Sequence, residues 1–302
     1  MRATIGRTSG RLAQIAALAL PLLLSGCFVI STHRSLPVPK APAVVQTATP
    51  DELVARMDKR WEDLQSMTAT VEIQLSVYKT AAGEATDYTT IRGVILMRKP
   101  KMMRVLGRVP VLGTRAFDMV SDGRDFTLWI PSKNKAIKGS NSLTKRSSSA
   151  IENIRPDFFF DAMVVRGLDR DDDYSVAADS ETIEDASKKH LLFTPEYNLN
   201  IMRRKAGTHE EKPVRVISFH REDLLPYEQD LYDSDGNLET HVIYANYQDF
   251  GEDKYPSTIT IKRPIDGFQI VITVQSVKQN QQLTDDQFQF DIPPETEIQN
   301  LQ

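Results

Sequence analysis

The apolar positions change period along the chain, and the changes mark out its elements. Leu53, Met57, Trp61 and Leu64 recur at helical spacing and form one apolar face. Thr49, Pro50 and Glu52 precede them as N-cap, first helical residue and capping-box partner, which predicts a helix over 50–65. After Ser66 the period drops to two. Ala69, Val71, Ile73, Leu75 and Val77 alternate with Thr70, Glu72, Gln74, Ser76 and Tyr78, the pattern of a strand with one buried face. Ala82-Gly83 supplies a turn, and 85–98 reads as a second long strand. Ile91, Ile95 and Met97 share one of its faces; Tyr88, Thr90 and Arg92 share the other. Strands at 102–107, 114–121 and 125–131 follow, the last two joined by the turn signal Ser121-Asp122-Gly123.

The middle of the chain is less regular. Residues 140–157 are Ser-rich, and Pro156 opens a short helix carrying Phe158, Phe159, Phe160 and Met163. Residues 168–187 are acidic, with strands near 174–178, 189–194 and 199–204. From 213 a meander runs through 214–221, 226–232, 238–248, 256–263 and 268–278, with turns at Asp235-Gly236-Asn237 and Asp266-Gly267. Ile259, Ile261, Ile270 and Ile272 repeat the alternation there. The expected fold is mainly β, of α+β type: one domain over 49–302, with about ten or eleven strands in a single antiparallel sheet and few helices. A sheet that large tends to curl, and its apolar face needs a cover. The helix at 50–65 and the aromatic segment at 156–165 are the candidate covers.

The N-terminus has a different character. Arg2, Arg7 and Arg11 precede an apolar run from Leu12 to Leu24 that is too short to span a bilayer comfortably. Leu24-Ser25-Gly26-Cys27 follows directly and resembles the lipobox of bacterial lipoproteins. That resemblance implies a signal peptide over 1–26, cleavage before Cys27, and a multi-chain lipid anchor on that cysteine. Cys27 is the only cysteine, so no intrachain disulfide is possible. Phe28 stands where an Asp would mark retention in the inner membrane of Gram-negative lipoproteins, which points to the outer membrane. Residues 27–48, with Pro37, Pro39 and Pro42 and no periodic pattern, read as a flexible tether.

Charge narrows the partners. Loss of the three leader arginines leaves 34 basic residues against 41 acidic, with no basic block suited to nucleic acid. Catalytic signals are poor. His33, His190, His209, His220 and His241 form no metal-spaced pair, and no G-x-S-x-G occurs. His220-Arg221-Glu222-Asp223 reads as a solvated strand end, Asp169 to Asp173 as a solvated loop rather than a calcium site, and Asp233-Ser234-Asp235-Gly236 as a turn.

Several segments, in order, resemble the lipoprotein-sorting family of LolA-like carriers and LolB-like receptors. They are Gly93 through Arg98-Lys99-Pro100, then Val120-Ser121-Asp122-Gly123 with Leu128-Trp129-Ile130-Pro131. The late hairpin at Asp233 to Gly236 and the closing Phe288-Gln289-Phe290-Asp291-Ile292-Pro293 complete the set. The resemblance implies an unclosed β-barrel capped by helices, enclosing an apolar cavity for acyl chains, with no enzymatic chemistry and no cofactor. Lys99 stands where the family's carrier has an Arg that helps latch its lid. The expected cavity lining is Met57, Trp61, Val71, Ile73, Leu75, Ile91, Ile95, Met97, Met103, Phe117, Met119, Phe158, Phe159, Met163, Ile259, Ile261, Ile270 and Ile272. Methionine suits such a lining because it adapts to variable shapes. The expected cargo is the acyl chain of a lipoprotein or lipid. Two alternatives share the fold: an envelope sensor that contacts a protein partner, and a structural lipoprotein whose interior is filled.

Overall fold

The computed structural model describes residues 39–301, apart from 41, 43, 80–82, 144–145, 148–149, 185–190 and 252. The expected signal peptide, Cys27, the first part of the tether and Ala82 of the first turn lie outside the described residues. The first helix forms as its capping residues dictate. Thr49 caps α1 (Pro50–Asp63): its hydroxyl accepts from Glu52 N at 3.3 Å, and the Glu52 carboxylate accepts from Thr49 N at 2.8 Å. The second helix, α2, spans Pro156–Met163.

The strands are β1 (Ser66–Lys79), β2 (Glu84–Asp87), β3 (Ile91–Arg98), β4 (Met102–Arg108), β5 (Arg115–Ser121), β6 (Asp125–Ile130) and β7 (Lys135–Ser140). After α2 come β8 (Asp172–Glu184), β9 (Leu191–Arg204), β10 (Glu211–His220), β11 (Pro226–Tyr232), β12 (Leu238–Phe250), β13 (Asp253–Arg263), β14 (Phe268–Gln279) and β15 (Glu297–Asn300). All join one sheet in the order β15-β7-β6-β5-β4-β3-β1-β14-β13-β12-β11-β10-β9-β8, with β2 beside β1. Every pairing is antiparallel except that of β15 with β7.

The sheet is curled, and α2 shows it. This short helix lies against β4 and β5 on one side and β13 on the other. Four strand steps separate β4 from β13, roughly 19 Å along a flat sheet. A helix about 10 Å across reaches both only if the sheet wraps around it. The end strands β15 and β8 do not pair with each other, so the barrel stays unclosed.

Register lines up the inner rows. β1 is central, with Met67 opposite Met97 and Ile73 opposite Ile91 on one side, and Ile73 opposite Ile272 and Leu75 opposite Ile270 on the other. A Cβ on Gly93 would sit 3.1 Å from both Ile73 Cδ1 and the Leu106 carbonyl oxygen, so this strand crossing favours glycine. The outer face of β4–β6 is covered by the closing segment. Arg104 donates to the carbonyls of Gln287 at 3.0 Å and Gln289 at 3.1 Å, and Phe290 stacks on Trp129 at 6.2 Å. Beneath it Arg104 pairs with the fully buried Asp118 at 2.8 Å.

The sheet has more strands than the sequence pattern predicts. The strand expected over 85–98 breaks between β2 and β3, and Tyr88 N donates to the Leu75 carbonyl there. Conversely β9 runs unbroken through Pro195, whose carbonyl accepts from Arg221 N at 3.0 Å. β15 carries no alternating pattern of its own.

The last part of the expected tether is held against the domain. Lys40 bridges to Leu192, Gln46 N donates to the Arg221 carbonyl at 2.6 Å, and Arg221 Nε donates back to Gln46 O at 3.1 Å. Ala48 is buried among Leu53, Val54 and Tyr197. A chain starting at Thr49 is therefore expected to be about 1–3 kcal/mol less stable than one starting at Pro39, read from urea melts. Equal midpoints would show that this strap contributes nothing.

Candidate acyl-binding interior

Most of the expected lining residues meet in one place. Val71, Ile73, Ile95, Met97, Met103, Met119, Phe158, Phe159, Met163, Ile259, Ile261, Ile270 and Ile272 are buried in a single cluster. Leu75, Ile91, Phe117 and Trp61 are half-buried at its margin. Met57 packs elsewhere, with Leu53 and Val54, against Tyr197, Leu199, Ile201, Ile217 and Phe219 of β9 and β10. Trp61 packs on the main cluster, meeting Phe160 edge to face at 6.2 Å, and Val165 packs against both clusters.

An apolar cavity of ≈ 170 Å³ remains where α1, the end of α2 and the concave sheet meet. Of the expected residues, Met57, Trp61 and Met163 border it. The rest of the wall is Leu64, Val164, Val165, Phe219, Leu224, Pro226, Tyr244, Tyr247, Tyr255 and Pro256, with Gln279, Asn280 and the exposed Arg56, Arg60, Asp63 and Lys254 as its polar members. Sequence reasoning missed the tyrosines, although Tyr244 follows Val242 by two residues, and Tyr255 precedes Ile259 by four, on the same inward rows. Their hydroxyls are hydrogen-bonded. Tyr255 Oη donates to the Met163 carbonyl at 2.6 Å, Tyr247 Oη to the Pro226 carbonyl at 2.5 Å, and Gln229 Nε2 donates to Tyr244 Oη at 3.3 Å. Burial pushes all three phenols up, so the wall carries no charge from them.

Volume decides what this state can hold. Pockets for drug-sized ligands run to about 300–1,000 Å³. The cavity is closer to the roughly 150 Å³ that admits a benzene-sized guest. Its volume leaves room for the end of an acyl chain but not for a whole one. The two helices differ in how they are held. α2 buries Pro156, Phe158, Phe159, Phe160, Ala162 and Met163, six of its eight residues. α1 buries only Leu53, Val54 and Met57. Much of its remaining hold is polar: Arg60 Nη2 to the Lys254 carbonyl at 3.0 Å, Asn280 Nδ2 to the Asp63 carbonyl at 3.0 Å, and Leu168 N to Asp58 Oδ1 at 2.9 Å. Such bonds contribute about 0.5–1.5 kcal/mol each and exchange readily for water. α1 is thus the less deeply buried of the two helices, and α2 the more firmly packed.

Lys99 fastens α1. Its ammonium lies 4.1 Å from the Trp61 ring centroid and donates to the Trp61 carbonyl near the helix C-terminus. A cation is favoured there by the helix dipole and by the ring face. Burial lowers the Lys99 pKa. Arg98 points elsewhere, to the Leu283 carbonyl at 2.7 Å.

The larger cavity, ≈ 670 Å³, lies beside the N-terminal half of α2 and has a different chemistry. Arg146, Arg155, Arg215 and Arg263 line it together with Asp157, Asp161, Glu239 and Asp266. Arg263 donates to Asp266 at 2.8 Å, Thr240 at 2.7 Å and Glu239 at 3.0 Å. Burial raises the Asp157 carboxyl. An acyl chain placed here would lie against charges, so volume alone does not choose the site.

The other charged motifs have structural roles. Arg203 bridges Asp169 at 2.9 Å and Asp172 at 2.6 Å, tying the β8–β9 hairpin. His220 stacks on Tyr227 at 3.9 Å, and burial lowers its pKa. Asp233 accepts from Asp235 N and Asn237 N, both at 2.9 Å, as a turn-forming side chain does. Several large apolar side chains are exposed, most fully at one hairpin tip. At the tip of the β4–β5 hairpin Val111 is fully exposed and Leu112 is 75% exposed, with Arg108 and Arg115 on either side.

No family model matches the chain, and no curated relative does. Solved structures match it over most of its length. A DUF1329 family protein from Desulfovibrio piger aligns with a TM-score of 0.50 at 16% identity, over 80% of this chain and 95% of that one. The fold is shared. A LolA superfamily protein from Nitrosomonas europaea aligns with a TM-score of 0.49 at 17% identity, over 81% of this chain and 99% of that one. An outer membrane lipoprotein-sorting protein domain from Vibrio parahaemolyticus aligns with a TM-score of 0.45 at 14% identity, over 79% and 94%. At these identities the likeness speaks for the fold alone.

Proposed function

We propose that the chain is a lipid-anchored protein of the bacterial envelope that takes an acyl chain of a lipoprotein or lipid between α1 and the concave sheet. The observation that carries this reading is the apolar cavity under a helix held largely by exchangeable polar bonds. The cavity's charged residues suit cargo with an anionic head group, since Arg56, Arg60 and Lys254 outnumber Asp63 among them. The Val111-Leu112 tip between two arginines suits contact with an anionic membrane surface. In this reading the anchor on Cys27 keeps the domain at the membrane, on the outer membrane's periplasmic side, while cargo enters. Binding and release need no bond to be made or broken.

Val165 is half-buried and faces the cavity, so a larger side chain there occupies the cargo's place. Val165→Phe is expected to keep the fold and weaken uptake of a fluorescent fatty acid by roughly tenfold or more, the loss of about 1.4 kcal/mol of binding. Undiminished uptake by the variant would place the ligand elsewhere. The closely packed main cluster favours the second reading, a structural lipoprotein with a filled interior. Failure of the unaltered protein to take up the probe at all would decide for that one.

A further inference from the structure

The sheet's outer face carries a cluster that the acyl-binding reading does not use. Gln229 turns inward, where its Nε2 donates to the Asp161 carbonyl of α2 at 2.9 Å. Strand alternation therefore turns Glu228 and Asp230 of β11 outward. On β12 Val242 is in the core and Thr240 binds the buried Arg263, so His241 between them also faces out. Register sets Asp230 directly opposite His241, with Glu228 one diagonal step away. His241 Nδ1 lies 2.7 Å from Asp230 Oδ1 and 3.8 Å from Glu228 Oε1, and the three ligand atoms all fall within 4.8 Å of one another.

We propose that Glu228, Asp230 and His241 form a three-ligand site for a divalent cation of the zinc class. The geometry is close to what such an ion needs. With bonds of about 2.0–2.2 Å, a tetrahedral site separates its ligands by about 3.3–3.6 Å. From 2.7 Å Asp230 has to retreat by about 0.6–0.9 Å, and from 3.8 Å Glu228 has to approach by about 0.2–0.5 Å. Their half-exposed side chains allow that by small torsional changes. One imidazole with two carboxylates is a ligand set for zinc rather than for calcium or magnesium, which take oxygen alone. The remaining coordination position opens outward to water.

A plain His–Asp pair would explain two of the three groups and leave Glu228 unexplained. Its carboxylate makes no hydrogen bond among the described residues, and the basic group within 4.0 Å of it is the His241 imidazole, at 3.8 Å, which is charged only when protonated. It sits beside Asp230 on the same face of one strand, a like-charge arrangement that a divalent ion reverses. Lys262, opposite His241 on β13, opposes the ion on one side. Glu196 on β9, held by Asn198 Nδ2 at 3.4 Å and by Tyr227 Oη, adds a further negative charge on the other.

The test is calorimetric titration of the purified, chelator-treated, tag-free full-length chain in detergent with Zn²⁺, and separately with Ca²⁺. One Zn²⁺ is expected to bind per chain, with little or no response to Ca²⁺. His241→Ala and Glu228→Gln are each expected to weaken Zn²⁺ binding by roughly tenfold or more at unchanged circular dichroism, while His220→Ala leaves it intact. Should His241→Ala fail to fold, Glu228→Gln decides, because it removes a carboxylate without breaking a hydrogen bond. Absence of saturable Zn²⁺ binding, a preference for Ca²⁺, or binding indifferent to Glu228→Gln would each overturn the assignment.

Discussion

Replacing Phe159 by Ala is expected to destabilise the domain by about 3–5 kcal/mol, a large part of the stability of a typical domain. Phe159 is 2% exposed and stacks on Phe158 at 4.6 Å. It belongs to the helix that touches both halves of the curl, so its removal leaves a void that neither half can collapse to fill. The magnitude distinguishes two roles for α2. A plug shared by β4, β5 and β13 gives the full large-to-small cost. A mobile lid spends part of its time displaced and gives much less. A urea midpoint shift equivalent to less than about 1 kcal/mol would show that α2, rather than α1, is the moving cover.

The second large effect is on location. Cys27→Ser is expected to abolish incorporation of labelled fatty acid and to leave the longer precursor unprocessed. Each buried methylene contributes about 0.8 kcal/mol, so two or more chains hold a protein at a membrane stably, and none holds it not at all. No other cysteine can substitute, because Cys27 is the only one. Equal labelling of the variant, read from a gel of metabolically labelled cells, would remove the anchor from the reading.

The same physics explains what the sequence disclosed and what it hid. The start of α1 was legible because Thr49 and Glu52 lie within one turn and satisfy each other. The inner rows of β1, β3, β13 and β14 were legible because each strand is buried on one face, so its alternation is printed in its own residues. The aromatic run at 158–160 marked α2 for the same reason. β15 was not legible. Its Glu-Ile-Gln-Asn has no alternation, and its parallel partner β7 is about 160 residues away in the chain. The strap from Lys40 to Ala48 is held mainly by backbone bonds, which any residue but proline can make. The cavity was legible only at Met57, Trp61 and Met163, because a cavity is the space left where three elements meet and no local pattern encodes it. His241 likewise has no metal-spaced neighbour along the chain, and Glu228 and Asp230 reach it only across a strand pair.

The measurement that bears most directly on acyl binding is native mass spectrometry of the soluble chain from Pro39 onward, purified from bacterial cells. This fragment lacks Cys27, so any lipid it carries is held without a covalent bond. The expected spectrum contains the bare domain together with species heavier by one acylated lipid, and the heavier species disappear in Val165→Phe. A spectrum of the bare domain alone, unchanged after incubation with added phospholipid and fatty acid, would contradict acyl binding and leave a filled, structural interior.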